Sequence, residues 1–419
     1  MSERACPECG ATIPVTTGYA DWCADCGWNL ARPPAPWAAS GRFGRLAERL
    51  GRRSGERLAR ELRAADELRP RLTAAKALAY ALAAGAHLFT LALAGLGVAA
   101  IVVEFPNPIS IAIGLAMLCV AAFMRPRVPR MPEGTVLEPT DTPTLHALAS
   151  DVASALERPA PDAIVADTRW NASWALAGWR RRRVLVVGIP VLAALEPQER
   201  VAMIAHEVGH DRNGDVSRGV FIGSAVNGLD TLSDVLRPPR HPGGISLGLF
   251  ESITGGLMWV LTRPIDAVLW LEARLLLRDM QRAEYLADAA AARVAGTAAA
   301  IALHERLLLY STFQGAIQQA ALADDAHGAL DRVRAALRSV PERERERRRR
   351  VARLEQTRLE DTHPPTGMRI ALLEDRAARA PAVTLDASAS ARIDAELEPL
   401  VTPTGRALVD RYRASLHYG

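Results

Sequence analysis

The chain has 419 residues, of which 49% are hydrophobic and 23% are charged, and 51 lysines and arginines nearly balance 47 aspartates and glutamates. This length and apolar content suit a globular enzyme of two or three domains that also carries membrane segments. A net charge of only +4 excludes a protein that binds polyanions over its whole surface.

Two cysteine pairs lie at the start of the chain. Four of the five cysteines have the spacing of zinc knuckles: Cys6, Cys9, Cys23 and Cys26. Gly10 and Gly27 follow the second cysteine of each pair, where a positive φ turns backbone N–H groups toward the sulfurs. Residues 1–32 are therefore predicted to form a zinc ribbon with one structural Zn²⁺. The alternative is a pair of disulfides. Reduced thiolates would place the ribbon in the cytosol.

Residues 33–76 are predicted to form a basic linker helix. Leucines recur at roughly helical spacing among arginines from about residue 42 to 71, which predicts an amphipathic helix. Gly51 and Gly55 are expected to break it. Such a helix either lies on an anionic membrane face or is an ordinary solvated linker.

Residues 77–125 are predicted to form a transmembrane hairpin. The run 77–103 carries no charge and is long enough to span a bilayer, whereas 109–124 is uncharged and somewhat short. The alternative is a buried helical pair in a soluble core. Arginines and a lysine flank both outer ends, and the turn carries only Glu104. Both ends, and hence the ribbon and the peptidase region, are predicted to face the cytosol.

The run that ends in His206-Glu207-Val208-Gly209-His210 is predicted to be a helix. Histidines four residues apart share one helical face, so His206 and His210 can bind one metal ion, with Glu207 beside it as general base. Downstream, Glu284 can supply the third ligand of a catalytic Zn²⁺. Asp288 lies one turn further on and can accept a hydrogen bond from a ligand histidine. Taken alone, these motifs could also be a surface helix with unrelated histidines and a solvated acidic face.

The order of these motifs resembles the membrane gluzincin peptidases, the group of HtpX-like heat-shock proteases and type I CaaX prenyl endopeptidases. The resemblance covers about residues 135–375. It includes the Glu284–Asp288 helix and the run Thr362-His363-Pro364-Pro365, followed by Arg369. It implies a zincin-type metallopeptidase domain, here placed at residues 126–419.

The resemblance also implies roles for residues outside the metal motif. His363 and Arg369 are expected to stabilise the oxyanion, although His363 alone could be a simple turn residue. Asn171 and Ala172 are similar to the family's Asn-Ala motif. The strand 184–188, which contains Val186 and Val187, is similar to the edge strand that pairs with substrate. These four residues are the expected substrate-binding positions.

The sequence thus predicts a mainly α fold with a small β-sheet, comprising the ribbon, the hairpin and the peptidase domain. Residues 219–262 are apolar but contain three acids, which favours membrane-facing helices or a lid over full spans. The expected function is a membrane-anchored zinc endopeptidase for protein or peptide substrates, in contact with membrane lipid and acting in membrane protein quality control.

Three other functions compete with this one. The first is an inactive or regulatory membrane adaptor that binds through its ribbon. The second is a prenyl-peptide processing enzyme, which the small number of candidate spans argues against. The third is nucleic-acid binding, which is not expected because aromatic residues make up only 5% of the chain and the basic helix adjoins a membrane span.

Overall fold

The computed structural model describes residues 2–30, 42–65, 67–237, 249–355 and 363–417. These residues are mostly helical with two small sheets, which confirms the predicted fold class. The strands are β1 (Ser2–Ala5), β2 (Thr12–Val15), β3 (Thr135–Leu137), β4 (Ala163–Asp167), β5 (Ala172–Ala177) and β6 (Arg182–Gly188). The helices are α1 (Arg42–Arg63), α2 (Ala74–Val103), α3 (Pro108–Met124), α4 (Pro143–Ala155), α5 (Ile189–Ala194), α6 (Pro197–Arg212), α7 (Asp215–Leu236), α8 (Leu249–Ala295), α9 (Thr297–Leu307), α10 (Tyr310–Leu322), α11 (Ala329–Ser339), α12 (Glu342–Leu354), α13 (Thr366–Glu374) and α14 (Ala387–His417).

The chain divides into two compact units. The first contains residues 1–69, 131–213 and 281–419, and the second contains residues 70–130 and 214–280. This division differs from the predicted one, in which 126–419 is a single peptidase domain. Residues 214–280 group instead with residues 70–130, which contain the predicted transmembrane hairpin.

The second unit is helical. Among the described residues, α2 is the one helix long and apolar enough to cross a membrane, and α3 is a shorter apolar helix of 17 residues. The two helices approach closely because glycines meet at their crossing: a Cβ on Gly97 would lie 2.9 Å from the carbonyl oxygen of Gly114. Small residues at such a crossing let apolar helices pack backbone to backbone. Ala79 and Ala83 of α2 then pack against α7.

In the first unit, α1 is one continuous helix, so the predicted break at Gly51 and Gly55 is wrong. The described leucines in its C-terminal half are covered by other parts of the chain. Leu58 and Leu62 are buried against Tyr285 and Leu372. The apolar face of this part of α1 is thus covered by the peptidase region itself.

The four-stranded sheet has the order β3-β4-β6-β5. Strand β6 pairs in parallel with β4 and antiparallel with β5. Val186, for example, is opposite Val165 on one side and Ser173 on the other. The prediction that 184–188 is an edge strand is therefore wrong, because both of its hydrogen-bonding edges are occupied. Strand β5 is the edge on that side, and it packs against α6.

Candidate metal centres

The sequence around α6 accounts for where the helix begins. Glu196 and Glu199 form a reciprocal capping box at its start, and Pro197 occupies the first turn. Both features satisfy or remove N–H groups that a helix leaves unpaired at its N-terminus. These residues account for the start of α6 at Pro197, and its following turns present His206 and His210 on one face.

Gly209 determines how closely α6 approaches α8. A Cβ at this position would lie 3.0 Å from Cβ of Ala290 and 3.1 Å from Cα of Ala287. The absence of a side chain at Gly209, together with two alanines opposite, lets the two helices cross almost in backbone contact. This approach brings the two histidines of α6 next to Glu284 of α8.

Three possible ligand atoms converge at the crossing. Nε2 of His206 and Nε2 of His210 are 3.3 Å apart. The Glu284 carboxylate oxygens lie 3.6 Å from the first nitrogen and 3.8 Å from the second. A tetrahedral zinc with bonds of roughly 2.0–2.1 Å to nitrogen holds two ligand nitrogens about 3.3 Å apart. Two imidazoles and one carboxylate are also the donor set of a catalytic zinc site with an open position. The residues present therefore fit a zinc ion.

Asp288 contacts His206 and two other buried side chains, His304 and Arg369. Its Oδ1 lies 3.1 Å from Nδ1 of His206 and 2.9 Å from Nε2 of His304. Arg369 donates from Nη2 to Oδ1 at 2.6 Å and from Nε to Oδ2 at 2.7 Å. Asp288 thus lies within 3.1 Å of the second ring nitrogen of His206, at the position from which a carboxylate can orient a ligand histidine.

His304 is a site residue that sequence reasoning missed. It lies on α9, is 3% exposed and belongs to no motif. Burial lowers the pKa of His304, so its ring is neutral near pH 7 and donates one N–H to Asp288. The available signal was a histidine within an apolar helix, which by itself is more often a packed core residue.

The charges of the site are strongly coupled. Burial by itself would lower the pKa of His206, but Asp288 and Glu284 outweigh it and raise that pKa to about 10. Burial would raise the pKa of both carboxyls, but Arg369 and the neighbouring histidines hold the pKa of Glu284 and of Asp288 well below the usual range. Both carboxylates are therefore ionised, and Arg369 and the neighbouring histidines balance their charge.

The remaining predicted catalytic residues occupy different positions around this centre. Glu207 follows His206 directly and is buried. Nδ1 of His363 lies 2.8 Å from Oε1 of Glu284, and its side chain is 69% exposed. Thr362 lies outside the described residues. Arg369 is 8% exposed, with Nη1 3.0 Å from Oε2 of Glu284. The guanidinium of Arg369 therefore contacts two carboxylates, those of Glu284 and Asp288.

The four predicted substrate-binding residues separate into two groups. Val186 and Val187 lie in the central strand β6, where a further strand cannot add, so that expectation is wrong for them. Ala172 is the first residue of the edge strand β5. Asn171 precedes the strand, and its backbone carbonyl oxygen accepts a hydrogen bond of 2.9 Å from the backbone N–H of Gly188. The Asn-Ala pair thus lies at the start of the strand that forms this edge of the described sheet.

The cysteines of the ribbon form a second donor cluster. Their four sulfurs lie within 4.8 Å of one another, and the separations Cys6–Cys26 and Cys9–Cys23 are both 3.6 Å. Zinc–sulfur bonds of about 2.3 Å in a tetrahedron place thiolates about 3.8 Å apart, whereas a disulfide requires about 2.05 Å. Gly10 and Gly27 have φ of +73° and +76°, as predicted for the knuckle turns. The geometry fits a metal and excludes the disulfide alternative in this structure.

The ribbon packs against α12. The Trp22 ring is 2% exposed, and the guanidinium carbons of Arg343 and Arg350 lie 4.8 Å and 5.1 Å from its centroid. Arg343 also donates to the carbonyl oxygen of Trp22, and Arg350 donates to that of Ala24 at 2.6 Å. The second knuckle is therefore bound to the peptidase region by cation–π contacts and main-chain hydrogen bonds.

Comparison with known proteins agrees with this geometry. The family described as Peptidase family M48 matches residues 139–377, more than half of the chain. The chain is 33% identical over 143 residues to Protease HtpX of Pseudomonas putida (strain W619), covering 33% of this chain and 47% of the relative. It is 26% identical over 168 residues to Protease HtpX homolog 2 of Methanosarcina mazei, covering 40% and 55%. The chain spans about half the length of these relatives. No solved structure matches it significantly.

Proposed function

We propose that this chain, which belongs to peptidase family M48, is a membrane-associated zinc endopeptidase that hydrolyses peptide bonds within protein substrates. The observation that carries this proposal is the convergence of His206, His210 and Glu284 at the crossing of α6 and α8, with nitrogens 3.3 Å apart. We propose these three residues as the ligands of the catalytic zinc, and the four ribbon cysteines as the ligands of a structural zinc.

The reaction follows from the positions of the side chains. Zinc bound at the crossing would polarise the substrate carbonyl and acidify the attacking water. Glu207 accepts a proton from that water and later delivers one to the leaving amine. Asp288 keeps the His206 ring oriented. Arg369 balances the charges of Glu284 and Asp288.

His363 is the group available for the oxyanion. It is held 2.8 Å from Glu284 through Nδ1, and most of its ring is exposed. Glu284 raises the pKa of His363 by accepting its hydrogen bond, which favours the protonated imidazole. A protonated ring beside the metal site can donate to a developing negative charge.

Substrate is proposed to add as a strand to β5. Main-chain hydrogen bonds to a free sheet edge bind an extended peptide with little dependence on its sequence. Asn171 and Ala172 lie at the start of that edge, and α6 packs beneath the strand. This mode of binding suits unfolded segments of proteins, and we propose a role in membrane protein quality control, as the resemblance to heat-shock proteases implies. The positive residues that flank α2 and α3 support a cytosolic peptidase region.

The adaptor alternative is less well supported. A ribbon that recruits partners would present its aromatic surface to them, but Trp22 is covered by Arg343 and Arg350 of the same chain. The prenyl-processing alternative needs a large intramembrane chamber, and among the described residues only α2 has the length and hydropathy of a span.

The decisive experiment is cleavage of an unfolded model protein by the detergent-purified full-length chain, beside Glu207→Gln. The variant should bind zinc as the wild type does, and its turnover should fall by about 10²–10⁴-fold or more because the general base is lost. A chelator should abolish wild-type cleavage. If Glu207→Gln retains wild-type turnover, Glu207 is not the base and the proposed mechanism is wrong.

A further inference from the structure

The hairpin between β5 and β6 ends in an exposed tryptophan. The four-residue turn 178–181 closes with a hydrogen bond from the backbone N–H of Arg181 to the carbonyl oxygen of Gly178, 3.1 Å long. Gly178 and Arg181 both have positive φ, which makes the turn tight and directs Trp179 outward. Trp179 is 89% exposed, more than any other large hydrophobic residue among those described.

Arginines surround this tryptophan. Arg180, Arg181 and Arg182 are exposed, and Arg183 pairs with Asp162 at 3.0 Å. The side chain of Arg182 donates to the carbonyl oxygen of Asp162. Within the described part of the chain, no carboxylate forms an ion pair with Arg180 or Arg181. The tip therefore combines an uncovered indole with a local excess of positive charge. We name Trp179, Arg180 and Arg181 the hairpin tip.

We propose that the hairpin tip is an interfacial anchor that binds the headgroup region of an anionic membrane. An indole is apolar with one polar edge, so tryptophan concentrates at the boundary between headgroups and acyl chains. Guanidinium groups beside it form charge-assisted hydrogen bonds with phosphate oxygens. The chain also contains α2, which is apolar and long enough to cross a bilayer. An anionic membrane surface is therefore the negatively charged partner that we propose for the tip.

The composition of the tip disfavours nucleic acid. Binding of a single strand uses several aromatic side chains along a basic groove, on which successive bases stack. The tip has one aromatic residue at a convex apex. Its shape and its single indole suit shallow insertion into a lipid surface.

The anchor has a consequence for substrate binding, and this consequence rests on the proposed function. Trp179 follows the last residue of β5, Ala177, by two positions. Lipid contact at the tip holds the free edge of β5 at the membrane surface. A polypeptide segment that emerges from the bilayer then meets that edge directly, so the favoured substrate class is unfolded, membrane-proximal protein.

The test uses the full-length protein in nanodiscs that contain phosphatidylcholine brominated near the headgroup, with or without phosphatidylglycerol. The difference in fluorescence between the wild type and Trp179→Ala isolates the emission of Trp179 among the eight tryptophans. We expect this emission to be quenched in bilayers that contain phosphatidylglycerol. The quenching should weaken at high salt, because the Debye length falls from about 10 Å at 0.1 M to about 3 Å at 1 M.

The charge requirement is tested with Arg180→Glu/Arg181→Glu, which keeps Trp179. Since each arginine near an anionic leaflet contributes roughly a fivefold gain in partitioning, loss of both should reduce the contact by about 25-fold or more. Arg338→Glu/Arg392→Glu is the matched control, since both arginines are exposed and the net charge changes equally. The control should keep the quenching.

Two results would overturn the proposal: equal quenching of Trp179 with and without phosphatidylglycerol, or equal loss in the control pair. Circular dichroism of each variant establishes that it is folded. Because fluorescence is independent of turnover, failure here leaves the proposed peptidase function standing.

Discussion

Replacement of Asp288 by asparagine should disrupt the metal centre without removing a ligand. The carboxylate of Asp288 faces only donors: Arg369 contacts both of its oxygens, and His304 and His206 contact Oδ1. An asparagine has one acceptor oxygen and one NH₂ group. In either orientation the NH₂ group opposes an N–H donor, and the buried guanidinium loses one of its two carboxylates.

The magnitude follows from burial. Asp288 is 2% exposed and Arg369 is 8% exposed. Breaking such a buried pair by removing one charge costs about 3–5 kcal/mol, because the remaining ion has little access to water. Loss of the hydrogen bond that orients a ligand histidine weakens metal binding by about 10–100-fold. Asp288→Asn should therefore be both less stable and weaker in zinc affinity.

The assay is zinc titration against a competing chelator, together with thermal unfolding in detergent. Asp331→Asn is the control, because Asp331 is exposed and pairs with Arg334 on one surface helix. Such surface pairs contribute about 0–1 kcal/mol, so this variant should match the wild type in both measurements. If Asp288→Asn also matched the wild type in zinc affinity, Asp288 would not orient His206, and the reasoning from this network would be refuted.

Two further predictions concern regions away from the metal. Trp22→Ala should destabilise the ribbon by about 3–5 kcal/mol, because the Trp22 ring is buried between two arginines. Limited proteolysis within residues 2–30 should therefore be faster in the variant than in the wild type. An unchanged cleavage pattern would contradict this prediction. Burial would raise the pKa of Glu344, but Arg347 and Arg348 outweigh it and lower that pKa. A lowered folded-state pKa stabilises the protein above about pH 4.3 and the effect is lost as pH falls below that value. The melting temperature of Glu344→Gln should therefore lie below that of the wild type at pH 7 and converge with it in acid.

Several features of this protein were predictable because their determinants are close in sequence. The four-residue spacing of His206 and His210 puts both rings on one helical face in any context. The Cys-x-x-Cys spacing with its following glycines specifies each knuckle turn. The length and composition of the run that became α2 are sufficient to mark it as a candidate span. Each of these depends on dihedral preferences or periodicity within one element.

Other features depended on partners that are distant in sequence. Whether β6 is an edge strand depends on two pairings, with β4 and with β5, and its apolar composition is the same for a central strand as for a covered edge. The leucines of α1 define an apolar face but not what covers it, and Tyr285 is more than 200 residues away. His304 carries no local signal, because its role depends entirely on α9 lying against Asp288.

One physical cause separates the features that local sequence predicts from those that depend on distant partners. Local sequence determines which residues a helix or turn presents on each face, because backbone geometry repeats over a few residues. The buried charges of the site, Asp288 and Glu284 of α8 and Arg369 of α13, become mutually stabilising only when these two helices meet and water is excluded from all three groups. Motif spacing therefore predicts which residues are candidate ligands, whereas the hydrogen-bond network around them was decided by the packing of the tertiary structure.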